Sequence, residues 1–92
     1  MKTSISVDLE VVSEILSRIR AAGEQPLTSG VIKAYMGHFV ANTGVPAHLS
    51  WNAQFGRILS EHSEALGIRK LSDEAVTDEL GNATTSMRWE FV

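Results

Sequence analysis

Apolar side chains recur at helical spacing in three successive segments of the chain. The spacing predicts helices from Asp8 to Ala22, from Gly30 to Asn42 and from Ser50 to Glu64. The three apolar stripes are Val11, Val12, Ile15, Leu16 and Ile19, then Ile32, Tyr35, Met36, Phe39 and Val40, then Trp51, Phe55, Ile58, Leu59 and His62. The chain therefore opens with three amphipathic helices.

Start and stop signals flank each predicted helix. Gly23 and Pro26 end the first helix. Thr28 or Ser29 is suited to cap the second helix, and Ser50 is suited to cap the third. The second and third helices are separated by the breakers Thr43, Gly44 and Pro46, and the sequence Ala-Leu-Gly at 65–67 closes the third helix. These signals predict three separate helices.

After Gly67 the pattern changes from helical to alternating. Ile68 to Leu71 is compatible with a strand, Met87 to Val92 alternates apolar and polar residues, and Gly81-Asn82 marks a turn between them. Residues 73–80 fit either a hairpin arm or a short helix. We expect a small α+β domain, mainly α, in which three helices precede a two-stranded hairpin, the order of a winged helix. A short extra strand near Leu27 is compatible with this fold.

One hydrophobic core should join these elements. Its expected members are Ile15, Leu16, Ile19, Ile32, Tyr35, Phe39, Phe55, Ile58, Leu59, Trp89 and Phe91. Trp51 and Trp89 fall on the apolar sides of their elements, which favours core packing over stacking on bases.

Composition adds limits to this fold. The 92 residues predict one domain over 1–92, with 43% hydrophobic and 21% charged residues, an ordinary globular balance. The chain has no cysteine, which excludes disulfides and thiolate chemistry. The first residues lack the pattern of a signal peptide, and no apolar run approaches the roughly 20 residues that span a bilayer. We therefore expect a cytoplasmic protein without a membrane partner.

The outward side of the third predicted helix carries the main functional signal. Glycine in a helix interior costs up to about 1 kcal/mol relative to alanine, so Gly56 requires a reason. One reason is close approach to a nucleic acid, with Arg57 reaching a phosphate or guanine and Asn52 or Gln54 an adenine. The alternative is that Gly56 admits a neighbouring helix and Arg57 is simply solvated.

The C-terminal segment carries a second signal. Thr84, Thr85, Ser86 and Arg88 follow the predicted turn and suit phosphate oxygens, although hydroxyl-rich turns are common in hairpins. The basic pair Arg69-Lys70 precedes the turn.

No arrangement of residues predicts catalysis, a metal or a cofactor. The histidines at 38, 48 and 62 have no metal-ligand spacing, and His62 fits a position at the edge of the core. The chain contains no nucleophile elbow and no glycine-rich phosphate loop. We therefore expect a non-catalytic domain.

The stretch from Val31 to Val92 resembles the winged-helix domain of the regulatory-factor-X family and the C-terminal winged helices of phage and poxvirus primase–helicases. Tyr35, Pro46 and Leu49-Ser50 carry this resemblance, and above all the run Phe55-Gly56-Arg57-Ile58-Leu59. The tail from Gly81 to Trp89 resembles the family's wing. The resemblance implies that Arg57 and the wing around Thr84, Thr85, Ser86 and Arg88 face DNA.

The charge of the chain departs from that pattern. Its formal net charge is −3, whereas nucleic-acid-binding domains are mostly basic. Glu61 and Glu64 follow Arg57, and four acids lie between Asp73 and Glu79. These acids support a rival function, a protein-interaction adaptor whose acidic segment at 73–79 docks on a basic partner.

The leading expectation is binding of double-stranded DNA by a regulatory or replication accessory protein of a phage or mobile element. Its interface would comprise Asn52, Gln54, Arg57, Arg69, Lys70, Thr84, Thr85, Ser86 and Arg88. With a formal net charge of −3, we expect that a homodimer or a larger complex is needed for useful affinity. A continuous positive stripe through the four cations of this set favours DNA, and a stripe interrupted by the acids of 73–79 favours a protein partner.

Overall fold

The first helix and the loop after it follow the local sequence signals. The computed structural model describes residues 5–39 and 50–92. Helix α1 spans Leu9–Ala21, and the Asp8 carboxylate caps it by accepting from the backbone N of Glu10 at 3.0 Å. Gly23 adopts a positive φ of 74° directly after the helix, as its position in the sequence predicts.

The second helix differs from its prediction at both ends. Helix α2 spans Thr28–Met36, so it starts two residues before Gly30 and stops well before Asn42. Gly37 ends it in the left-handed conformation, with φ 88°, and its N–H donates to the Lys33 carbonyl at 2.7 Å. Leu27, not Thr28 or Ser29, occupies the N-cap position. The predicted breakers Thr43, Gly44 and Pro46 lie outside the described residues.

The third predicted helix is divided in two. Helix α3 spans Trp51–Glu61, and the Ser50 hydroxyl caps it by accepting from the Ala53 N–H at 3.3 Å. A single turn, α4 at Ser63–Leu66, follows and ends at Gly67. His62 lies at the junction and is exposed, so its predicted place at the core edge is wrong.

The C-terminal third forms an antiparallel hairpin. Strand β1 spans Ile68–Thr77 and β2 spans Ala83–Phe91. Their register runs from Ile68 opposite Phe91 to Thr77 opposite Ala83, and Leu71 lies at an irregularity between Lys70 and Ser72. Residues 73–77 are therefore a hairpin arm and not a short helix, and the turn lies at 78–82 as Gly81-Asn82 indicates.

An isolated β-bridge is one of the contacts that join the hairpin to the helical part of the chain. Leu27 pairs antiparallel with Arg88, and the Trp89 N–H donates to the Pro26 carbonyl at 2.8 Å. The extra strand that the sequence allows near Leu27 is reduced to this one bridging residue, and the sheet has two strands in the described part of the chain. Because of this bridge, β2 lies beside the start of α2, and β1 lies on the outer side of the sheet.

The core lies between the three main helices and β2. Eight of the expected core residues are buried, while Ile19, Tyr35 and Phe91 pack against the core partly exposed. The buried set also contains Val12, Val31 and Ile68, which the expected core omitted. None of the described helices is long and apolar enough to cross a membrane. The described residues thus form a small α+β unit.

Candidate functional site

A concave site of about 600 Å³ opens between α3 and β2, with the start of α2 at its base. Helix α3 supplies one wall, strand β2 the opposite wall, and Lys70 of β1 extends the second wall. The volume falls within the range of about 300–1,000 Å³ that is common for small-molecule sites. The lining residues are Thr28, Ser29, Ile32, Phe39, Ser50, Asn52, Ala53, Gly56, Arg57, Ser60, Lys70, Ala83, Thr84, Thr85, Ser86, Met87 and Trp89.

The α3 wall is the helix face that the sequence predicts to point outward. Asn52, Ala53, Gly56, Arg57 and Ser60 recur at helical spacing along it. This face carries small and polar side chains because the apolar face of the same helix, with Phe55 and Leu59, is buried. The amphipathic pattern therefore positions Arg57 on the cavity side.

Gly56 lies where α3 faces the start of α2. A Cβ atom on Gly56 would lie 3.8 Å from Thr28 Cγ2, an ordinary van der Waals distance. The site therefore has room for a methyl group, and neighbouring helix packing does not require glycine here.

Gly56→Ala should stabilise the domain. Alanine removes the conformational cost of glycine within a helix, so we expect the free energy of unfolding to rise by about 0.5–1 kcal/mol. Urea denaturation measures this change. Gly37→Ala is the control with the opposite sign, since its φ of 88° strains an L-residue although no atom lies within 4 Å of the added Cβ. A loss of stability in Gly56→Ala would contradict the spacing between α2 and α3.

The β2 wall is fastened to the start of α2 by hydroxyl groups. The Ser29 N–H donates to Ser86 Oγ at 2.8 Å, and Thr28 Oγ1 donates to the Met87 carbonyl at 3.3 Å. Ser86 is buried by this role, whereas Thr85 is exposed and Thr84 half-buried. The hydroxyls predicted for a wing turn thus lie on a strand, with only Thr84 and Thr85 open to a partner.

Two cations give the cavity its charge. Arg57 and Lys70 both line it, and neither forms an ion pair with another residue in the described ranges 5–39 and 50–92. No carboxylate occurs among the described lining residues. The N-terminal end of α2 adds a partial positive charge at the base. The cavity is therefore suited to an anionic group.

Three residues of the predicted interface lie elsewhere. Gln54 is 3% exposed and turned into the protein, so it is not placed to read a base edge. Arg69 pairs with Glu90 across the hairpin and does not line the cavity. Arg88 is held by Glu74 and also lies outside the lining. The predicted stripe of four cations is therefore not continuous, because Glu74 of the acidic segment neutralises Arg88, which is the outcome expected for a protein partner. Of the four cations, only Arg57 and Lys70 lie together in the cavity.

Arg88 fastens the hairpin to the loop before α2. Its guanidinium donates to both carboxylate oxygens of Glu74, at 3.1 Å for the bond from Nη2 to Oε1, and to the Gln25 carbonyl at 3.0 Å. The hydrogen bond from Arg88 is the main cause that lowers the pKa of the Glu74 carboxyl; burial partly opposes it, and the positive charge of Arg88 adds a smaller lowering effect. The same bond raises the pKa of Arg88. Arg88 is therefore a structural residue.

Glu74→Gln should make stability less dependent on pH. Because the pKa of Glu74 is lower in the folded state than in the unfolded state, the ionised carboxylate stabilises the fold at pH values above its unfolded pKa of about 4.3. This stability is lost as the pH falls through the folded-state pKa. The wild type should therefore exceed the variant in stability at neutral pH, and the difference should close in acid. Thermal unfolding at a series of pH values measures the difference. Glu14→Gln, in an exposed pair with Arg18, is the control, and a difference that persists in acid would contradict this role.

The acidic segment at 73–79 does not form a free acidic face. Glu74 binds Arg88, and Glu79 lies 3.7 Å from Lys33 Nζ. Asp78 is buried in the turn, where it accepts hydrogen bonds. Only Asp73 is left without an internal partner among the described residues of this segment. Among the described residues of this segment, Asp73 is therefore the acid that would be available to a basic partner.

Comparison of the chain with protein-family models, with curated proteins and with solved structures finds no match. What the cavity can bind must therefore follow from its own shape and charge. The cavity brings together six of the nine predicted interface residues: Asn52, Arg57, Lys70, Thr84, Thr85 and Ser86. No group of three or more potential metal ligands occurs within residues 5–39 and 50–92.

Sequence reasoning missed the contribution of α2. Thr28, Ser29 and Ile32 line the base of the cavity, although the sequence suggests only a helix start at this point. The hydroxyl pair Thr28-Ser29 is a visible signal, but its place in the site depends on the bridge between Leu27 and Arg88. That contact joins residues far apart in the chain.

Proposed function

We propose that this domain is a non-catalytic winged helix that binds double-stranded DNA through the cavity between α3 and β2. The order of elements supports the fold: helix α1, a bridging residue at Leu27, helices α2 and α3, the single turn α4, and a hairpin. In this order α3 corresponds to the recognition helix and the hairpin to the wing. The motif from Phe55 to Leu59, which carries the family resemblance, lies on α3.

One observation carries the proposal. Arg57 and Lys70 come from separate elements, line one concave surface and lack carboxylate partners among the described residues. Exposed cations without internal partners are available to phosphate oxygens. Asn52, Thr84 and Thr85 add hydrogen-bonding groups on both sides of them, as backbone-positioning contacts require.

The charge of the chain limits the expected strength of binding. With a net charge of −3, two cations supply few phosphate contacts, so one copy should bind weakly and mainly at low salt. Two copies on one duplex would double these contacts. We therefore propose that a homodimer, or a larger complex, is the form with useful affinity.

Salt titration of duplex binding tests the proposal. The logarithm of the binding constant should fall with the logarithm of salt concentration at about −0.9 per phosphate contact, or about −2 for one copy with two contacts. Arg57→Gln and Lys70→Gln should each reduce the magnitude of the slope by about 1 per copy, because each removes one contact. Fluorescence anisotropy of a labelled duplex measures both values.

Arg69→Gln is the matched control for Lys70→Gln. Arg69 is adjacent on β1 and has a side chain 67% exposed, but it pairs with Glu90 outside the cavity. Its substitution removes the same formal charge and should leave the slope unchanged. Equal effects at the two positions would reject the cavity as the interface. No duplex binding at low salt would reject the DNA function and favour the protein adaptor.

A further inference from the structure

The cavity offers more apolar surface than contact with a DNA backbone requires. A phosphate on the surface of a duplex is reached by side chains that project outward. Here a volume of about 600 Å³, partly open to solvent, lies between α3 and β2. The volume is of the size that holds a small organic molecule.

The lining is divided into an apolar base and a polar rim. Ile32, Phe39 and Trp89, each at most 8% exposed, close the base. Ala53 and Met87 extend the apolar surface along the two walls. Arg57 and Lys70, with Asn52 and Thr84, supply charge and hydrogen-bonding groups. A complementary ligand therefore has an apolar body and an anionic end.

The number of cations indicates the type of anion. A phosphate monoester carries about −1.5 to −2 charges at neutral pH and offers three strong acceptor oxygens. Arg57 and Lys70 together match this charge, whereas a single carboxylate would leave about one cation unbalanced. Since no carboxylate occurs among the described lining residues, nothing in the described cavity repels a dianion.

We propose that this cavity binds a small organic phosphate, a monoester whose apolar or aromatic body lies over the base while Arg57 and Lys70 hold the phosphate. The proposal goes beyond DNA binding, since it requires only the cavity and no duplex. It predicts that neither half of such a ligand binds well alone, because the charge and the apolar surface are both needed.

Adenosine 5′-monophosphate is a suitable probe, with adenosine and inorganic phosphate as its two halves. Calorimetric titration of the full chain should show binding of the monophosphate at least about tenfold tighter than binding of either half. Arg57→Gln and Lys70→Gln should each weaken it by about tenfold or more, while Arg69→Gln, outside the cavity, should leave it unchanged.

Ala53→Leu tests the cavity itself. Ala53 is exposed on α3 and lines the site, so leucine should narrow the cavity and obstruct the ligand without disturbing the core or removing a charge. We expect the variant to keep its thermal stability and lose the monophosphate. Phosphate binding as tight as that of the monophosphate, unchanged affinity in Ala53→Leu, or no binding of the monophosphate would each overturn the proposal.

The two proposals fail separately. A chain that binds the duplex with the expected salt dependence but not the monophosphate overturns the ligand proposal alone. A chain that binds the monophosphate but no duplex at low salt retains the ligand proposal and overturns the DNA function.

Discussion

Trp89→Ala should lower the free energy of unfolding by about 3–5 kcal/mol, a large part of the 5–15 kcal/mol typical of a whole domain. The Trp89 ring is 1% exposed and belongs to the core. Its indole Nε1–H donates to Thr28 Oγ1 at 2.8 Å, so the substitution removes both packing and a buried hydrogen bond. Urea denaturation followed by far-ultraviolet circular dichroism measures the loss.

Milder variants separate the two contributions if Trp89→Ala fails to fold. Thr28→Val keeps the side-chain shape but leaves the indole N–H without its acceptor, which should cost about 1–3 kcal/mol. Trp89→Phe removes the donor and part of the ring. A double-mutant cycle of these two variants should show a coupling energy of at least about 0.5 kcal/mol. Additive effects would contradict a shared hydrogen bond.

Trp51→Phe is the matched control for the tryptophan substitutions. Trp51 stacks on Phe55 with ring centroids 5.1 Å apart and is only partly buried. Phenylalanine retains most of this stacking, so its loss of stability should be clearly smaller than that of Trp89→Phe. The difference in stability between Trp89→Phe and Trp51→Phe therefore reports on the contact of Trp89 in β2 with Thr28 in α2, which joins two sides of the cavity.

The starts of α1 and α3 could be predicted because each is capped by a residue that is adjacent to the helix in the sequence. Asp8 and Ser50 cap α1 and α3 with their own side chains, and Gly23 turns the chain after α1. These interactions join residues at most a few positions apart, so the sequence alone displays them.

Tertiary contacts decided the elements that were predicted wrongly or left open. Helix α2 begins early because Thr28 is drawn into the contact with Trp89 and Met87. Residues 73–77, whose composition allowed a helix, form a strand because they pair with 83–87. Val31 is fully buried although it lies outside the expected core, because α2 is covered on more than one side by α1, α3 and β2. Such burial depends on how the elements pack together.

In the candidate site, too, local sequence predicted some residues and tertiary contacts decided the others. Helical periodicity placed Arg57 on the outward face of α3 correctly, since that face follows from local sequence. The sequence does not distinguish Lys70 from Arg69 or Arg88, because all three are basic residues within predicted strands. Cross-strand pairing with Glu90 and Glu74 separates them. Which cations are available to a ligand is therefore a property of the folded hairpin.

Asp78→Ala should lower the free energy of unfolding by about 2 kcal/mol and loosen the hairpin tip. The Asp78 side chain is the acceptor that organises the turn, and the residue is 6% exposed. Its Oδ1 accepts from the N–H groups of Leu80 at 2.9 Å and Asn82 at 2.7 Å, and Oδ2 accepts from Asn82 Nδ2 at 3.1 Å. Alanine removes all three acceptor contacts, and solvent compensates for only part of the loss because the tip is docked on Phe39 through Glu79.

Asp78→Asn and Asp73→Ala distinguish this role from a general effect of charge. Asparagine keeps one carbonyl oxygen that can replace Oδ1, so its loss should be smaller than that of alanine. Asp73 is exposed on β1, outside the turn, and should be replaceable with little change in stability. Amide hydrogen exchange should show faster opening at 79–82 in Asp78→Ala alone, because the turn opens before the rest of the sheet. If Asp73→Ala loosens the tip equally, the loss of negative charge is the cause, and the hydrogen bonds of Asp78 do not hold the turn.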